Sequence, residues 1–101
     1  MIIYNITYQP DPAISGEWLD WMLTEEVPSI MQTGCFERYQ VAKLLETAES
    51  EGPTYSFQFY TSRKTAYDHY IAVYAPSLRK NSLARWGDQV FSFRSVMESV
   101  H

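Results

Sequence analysis

Hydrophobic and polar residues alternate from Ile2 to Gln9. Ile2, Tyr4, Ile6 and Tyr8 point one way, and Ile3, Asn5, Thr7 and Gln9 the other. Period two in β-branched and aromatic residues predicts a strand covered on one face. Pro10-Asp11-Pro12 ends it, because proline has no N–H to give to a ladder. The period then changes. Leu19, Met22, Leu23, Val27, Ile30 and Met31 recur at steps of three and four, the apolar stripe of a helix, with Trp18 and Trp21 flanking it. Ser15 is placed to cap that helix, with Ile14 and Leu19 at the spacing of a hydrophobic staple. Pro28 must kink the helix or start a second piece of it, and Gly34 is a natural stop.

Residues 36–45 read as a second strand, with Tyr39, Val41 and Leu45 on one face and Arg38, Gln40 and Ala42 on the other. The polar, acidic run from Glu46 to Pro53 is a loop. Residues 54–61 form a third strand, in which Tyr55, Phe57 and Phe59 alternate with Ser56, Gln58 and Tyr60. The short connection predicts an antiparallel hairpin. Ser62 can cap a second helix, whose apolar side is Tyr67, Tyr70, Ile71, Tyr74, Leu78 and Leu83; Pro76 interrupts it and Gly87 closes it. Residues 89–100 are the last strand, with Phe91, Phe93 and Met97 alternating against Ser92, Arg94 and Glu98.

The order βαββαβ predicts one α+β domain over residues 1–101. Its fold is ferredoxin-like, a four-stranded antiparallel sheet with two helices on one face. The halves echo one another, since Val27-Pro28-Ser29-Ile30 and Ala75-Pro76-Ser77-Leu78 fall at comparable places. The covered face is expected to hold Ile2, Tyr4, Ile6, Tyr55, Phe57, Phe59, Phe91, Phe93 and Met97. The other would then hold Ile3, Asn5, Thr7, Ser56, Gln58, Tyr60, Ser92, Arg94, Val96 and Glu98. A face so mixed suits either solvent or a dimer in which two sheets curve into one barrel around a partly polar cavity.

Composition narrows the partners. The net charge is −4 and the few basic residues are scattered, so the basic footprint of a nucleic-acid binder is missing. One cysteine, Cys35, excludes an intrachain disulfide and fits a reducing cytoplasm. No stretch approaches the ~20 apolar residues of a membrane span, and Met1 to Asn5 lacks a signal peptide's basic start. Cytoplasmic location, no nucleic acid and no membrane are the expectations.

Met1-Ile2-Ile3-Tyr4-Asn5, Trp18-x-x-Trp21-Met22, Val27-Pro28, Thr33-Gly34-x-Phe36, Tyr74-Ala75-Pro76-x-Leu78 and Trp86-Gly87 together resemble a bacterial family known as a domain of unknown function. The likeness covers essentially the whole chain. Its members look like the dimeric α+β barrel superfamily, which includes cofactor-independent oxygenases, heme-degrading enzymes, stress-responsive proteins and muconolactone-isomerase-like proteins. The resemblance implies a homodimer, and says little of chemistry, since that superfamily shares architecture more than activity. Many relatives carry His-x-Pro at the kink of the first helix. Here the sequence is Glu26-Val27-Pro28, so a role of that histidine does not carry over unchanged.

Each candidate residue has a plain reading beside its functional one. His69 points off the apolar stripe and reads as solvent-exposed; His101 is terminal. With no Cys or carboxylate at ligand spacing, neither suggests a metal, and heme lacks an axial ligand. No cofactor is expected. Cys35 reads as a packing residue. Glu26 reads as a solvated helix edge, or else as a buried carboxyl at a cavity mouth with a raised pKa. Arg94 and Glu98 suggest a cross-dimer ion pair. Asn5, Gln58 and Tyr60 can bind a ligand between the sheets or satisfy one another across strands. The leading expectation is a homodimer binding a small, partly apolar molecule between its sheets through Asn5, Gln58, Tyr60, Arg94 and Glu26. The alternatives are a cofactor-independent oxygenase- or isomerase-like enzyme, and a protein-interaction module without a ligand.

Overall fold

The computed structural model describes residues 1–101, all but the side chain of Glu49. Its strands are β1 (Ile2–Pro10), β2 (Arg38–Lys43), β3 (Tyr55–Thr61) and β4 (Val90–Glu98), paired antiparallel in the order β2-β3-β1-β4. The central strands β1 and β3 are the two whose alternation is cleanest in sequence. Each helical segment has two α-helical pieces joined by a five-residue π turn. The first runs α1 (Ser15–Trp21), π turn Met22–Glu26, α2 (Val27–Gln32). The second runs α3 (Lys64–His69), π turn Tyr70–Tyr74, α4 (Ala75–Trp86). Both lie on one face of the sheet, where Trp18, Met22, Val27, Tyr70 and Trp86 pack into one core with Tyr4, Ile6, Tyr8, Phe57 and Phe59. This is the expected ferredoxin-like α+β fold.

The two π turns share a cause. Pro28 and Pro76 each stand second in the α piece that follows. Proline offers no N–H to the carbonyl four residues back, and its ring crowds that carbonyl. The helix widens there instead: Val27 N–H donates to Met22 O and Ala75 N–H to Tyr70 O, each five residues back. The extra residue rotates the buried stripe. In the first helix that stripe becomes Trp18, Met22, Glu26, Val27 and Ile30, and Leu23, expected in it, is 44% exposed. Trp18, expected on its flank, is 1% exposed at its centre. In the second helix Leu83 is exposed and Trp86 buried.

Neither serine caps a helix. Asp11 Oδ1 accepts from Ala13 N–H at 2.9 Å, and this local turn leads the chain into α1 early, so Ile14 holds the cap position. The Ser15 hydroxyl donates back to Pro12 O. Arg63 precedes α3, and the Ser62 hydroxyl donates to Glu37 Oε2 at 2.7 Å instead. β2 is shorter than residues 36–45, because Phe36 turns into the core and Leu45 stands in the exposed loop. Gly34 and Gly87 do stop the helices, at φ 75 and φ 60, a region where a side chain is costly.

The largest correction concerns β4. Its register sets Val96 beside Tyr4, Arg94 beside Ile6 and Ser92 beside Tyr8. Ser92, Arg94, Val96 and Glu98 therefore share the helix-covered side, while Phe91, Phe93 and Met97 take the outer one, the reverse of the expectation. Alternation says which residues go together but not which face they take, and a shift of one residue exchanges the faces. Pairing with β1 decides it, starting from Pro10 opposite Val90 and the bond from Asp11 N–H to Gln89 O. Arg94 and Glu98 are consequently not placed for an ion pair across an outer-face dimer.

Candidate active site

A cavity of about 270 Å³ lies between the helices and the covered side of β1 and β4. The first π turn ends on Glu26 and directs it there; the second begins with Tyr70, on the opposite wall. Strand alternation brings Tyr4 and Tyr8 up from β1 and Arg94 up from β4. α4 adds Arg79 and Trp86.

Glu26 is 7% exposed, and no hydrogen bond among the described residues reaches its carboxyl. Burial pushes its pKa up from 4.5 to about 7, while the Arg94 guanidinium pulls the other way. Desolvation disfavours the charged form and a nearby cation favours it; here desolvation wins. The Tyr8 hydroxyl is driven well above the ordinary phenol range, by burial first and the Glu26 carboxylate second. Burial does the same to Tyr70, with Tyr4 and Glu26 adding to it. Both are neutral donors at any physiological pH. The Tyr4 oxygen accepts from Arg94 Nε at 3.1 Å and from Arg79 Nη2 at 3.3 Å. With two donors on that oxygen, its own O–H is left to donate into the cavity. A carboxyl poised near neutrality thus shares one cavity with hydroxyls and guanidiniums suited to stabilise negative charge on oxygen.

A family model described as a domain of unknown function, DUF4286, matches residues 1–100. The chain belongs to this family. No curated protein sequence matches it. Several solved structures share the fold of this DUF4286 member at low identity. A dimeric ferredoxin-like protein from an uncultured marine organism has a TM-score of 0.72 at 12% identity, covering 100% of this chain and 96% of that one. HapK from Hahella chejuensis has a TM-score of 0.71 at 13% identity, covering 99% and 93%. SnoaB, a cofactor-independent oxygenase from Streptomyces nogalater, has a TM-score of 0.65 at 10% identity, covering 99% and 93%.

In this DUF4286 protein the five residues singled out in the sequence divide between two faces. Glu26 and Arg94 meet in the cavity. Asn5, Gln58 and Tyr60 lie on the outer face of the sheet and satisfy one another or their neighbours. The Tyr60 hydroxyl donates to Gln58 Oε1 at 2.6 Å, the Ser56 hydroxyl to Asn5 Oδ1 at 2.7 Å, and Asn5 Nδ2 to Thr7 Oγ1 at 3.2 Å. Sequence reasoning missed Tyr4, Tyr8, Tyr70, Arg79 and Trp86 as site residues. A signal existed: three tyrosines on apolar stripes must each place a hydroxyl inside the fold.

The remaining reactive residues lie apart from this site. His69 is exposed and stands edge-on to Tyr74, and Cys35 packs in the core. Both border a second cavity near the start of α3. Among the described residues no cluster of three or more His, Cys, Asp or Glu is arranged to hold a metal ion.

Proposed function

We propose that this protein binds a small carbonyl compound between its helices and sheet and moves a proton on it, Glu26 acting as the base. The observation that carries this is Glu26, a buried residue lining the cavity whose carboxyl is in no hydrogen bond among the described residues and whose pKa burial raises to about 7, where an acid–base catalyst works best. The carboxylate takes a proton from the carbon beside the carbonyl. The electron pair of that C–H bond forms the double bond of an enolate, and the carbonyl's π pair settles on oxygen. The Tyr4 O–H, its oxygen held by Arg79 and Arg94, donates to that oxygen. Returning the proton at a different carbon completes an isomerisation. Every step uses the chain's own side chains, and a similar fold described as a cofactor-independent oxygenase supports such an economy of parts.

The same reading includes a homodimer built on the outer face of the sheet. Phe91, Phe93 and Met97 are 65%, 55% and 40% exposed there, and two similar structures are described as dimeric. A ligand between the two sheets is the weaker option, since the polar side chains that would bind it already bond one another. Among the described residues no helix is long and apolar enough to cross a membrane. With its one cysteine free, the chain suits the cytoplasm.

The test is hydrogen exchange at carbon. A panel of ketones, oxo esters and oxo acids is incubated with the protein in D₂O, and deuterium at the carbon beside the carbonyl is read by NMR. The expected result is incorporation with the native protein that Glu26→Gln abolishes. Exchange that survives Glu26→Gln, or no exchange with any member, overturns the reading.

A further inference from the structure

Arg79 on α4 and Arg94 on β4 reach the cavity from different walls and converge on one atom, the Tyr4 hydroxyl oxygen. A phenol oxygen is a neutral acceptor. Each guanidinium carries five N–H donors in a planar fork, and these two contacts use one apiece. Neither arginine is in an ion pair among the described residues; the ion pair present there is Lys64–Asp68 on the surface. The one carboxyl in the lining is Glu26, and even when ionised it balances only one of the two cations. The cavity is therefore positive in a chain of net charge −4. Both arginines are solvent-exposed residues, so water screens their mutual repulsion, but an anion lying across both forks meets two cations at once. Trp86, one of the lining residues, keeps its Nε1 buried with no acceptor. Ile6, Ile30, Leu78, Leu83 and Val90 give the lining an apolar part. A bare phosphate would leave that part unfilled, whereas a carboxylate on an apolar body uses both ends.

We infer that the cavity takes a small oxo acid, its carboxylate against Arg79 and Arg94 and its carbonyl oxygen against the Tyr4 hydroxyl. The carbonyl half rests on the proton-transfer reading above; the carboxylate half stands on the two arginines. The volume of about 270 Å³ lies just under the ~300–1,000 Å³ range of ordinary ligand pockets, which keeps the molecule small.

The experiment is calorimetric titration, at fixed ionic strength, with 2-, 3- and 4-oxo acids bearing short apolar or phenyl tails, each beside its own methyl ester and beside inorganic phosphate. At least one acid is expected to bind about tenfold or more tightly than its ester. Arg79→Gln and Arg94→Gln are each expected to erase that preference, with their melting transitions confirming that they fold. The inference is overturned by esters that bind as well as acids, by the absence of any acid binding at millimolar concentration, or by phosphate binding as tightly as the best acid. The two readings fail separately. Arginine-dependent acid binding without deuterium exchange sinks the proton transfer and keeps the carboxylate site. Esters that exchange deuterium as fast as acids do the reverse.

Discussion

Arg94 Nε donates to the Tyr4 hydroxyl at 3.1 Å, joining an edge strand to a central one on the side of the sheet that the helices cover. The same guanidinium is the one charge that draws the Glu26 pKa down against burial. Arg94→Gln removes that pull and leaves desolvation unopposed. The Glu26 midpoint is then expected to move above 7. Carbon-13 NMR of the glutamate carboxyls across pH measures it, and an unchanged or lower midpoint would show that Arg94 does not face Glu26 in solution.

A carboxyl whose pKa rises on folding makes the native state bind a proton that the unfolded chain has released. For Glu26 the window runs from 4.5 to about 7. Across it stability falls as pH rises, and above it the loss is complete. Glu26→Gln has no such titration, so it should match the native protein near pH 4 and exceed it at pH 8 by on the order of 2–3 kcal/mol. Urea unfolding at the two pH values gives the comparison. A Gln variant that is less stable at pH 8 would mean that the ionised carboxylate has a partner and is not held against burial.

The sequence shows the element order βαββαβ and both helices because β1 and β3 keep strict period two and both proline kinks stand at matched places. The phase of β4 was not legible. Phe91, Phe93 and Met97 are the bulky members of that strand, and bulky residues are usually inside. Yet β4 is an edge strand, and its phase follows from pairing with β1 at Pro10 and Val90, which no alternation within β4 records. Glu26 was legible as a candidate, but alternation could not decide between a solvated helix edge and a buried carboxyl at a cavity mouth, for a related reason. A period of 3.6 does not anticipate a turn of five, and the π turn is what brings Glu26 into the buried stripe beside Val27.

The rotated stripe has a direct test in a pair of substitutions. Trp18 is 1% exposed and packs against Tyr8, Tyr55 and Phe57 with ring centroids 5.2, 5.8 and 5.9 Å away. Trp18→Ala should cost about 3–5 kcal/mol. Leu23, which the 3.6-residue period assigns to the core, is 44% exposed, and Leu23→Ala should cost less than about 1 kcal/mol. Chemical denaturation of both variants distinguishes the two stripes. If Leu23→Ala costs as much as Trp18→Ala, either the π turn is absent in solution or a second subunit covers Leu23.

Phe91 and Phe93 stand next to each other on the outer face, ring centroids 6.4 Å apart, and both are mostly exposed. Exposed aromatic pairs on a sheet face are unusual in a chain that works alone. In a two-fold dimer the same patch meets its own copy, so one substitution acts twice. Burying a phenylalanine is worth about 1.5–3 kcal/mol, hence about 3–6 kcal/mol per dimer for Phe93. Phe93→Asp also adds two facing carboxylates, so it should weaken the dimer by more than about 100-fold. The helix-side core does not contain Phe93, so the variant should melt as a folded monomer. Light scattering on a sizing column at micromolar concentration decides it. A native protein that runs as a monomer removes the dimer from the proposal and leaves the cavity reading intact, because every residue of that site comes from one chain.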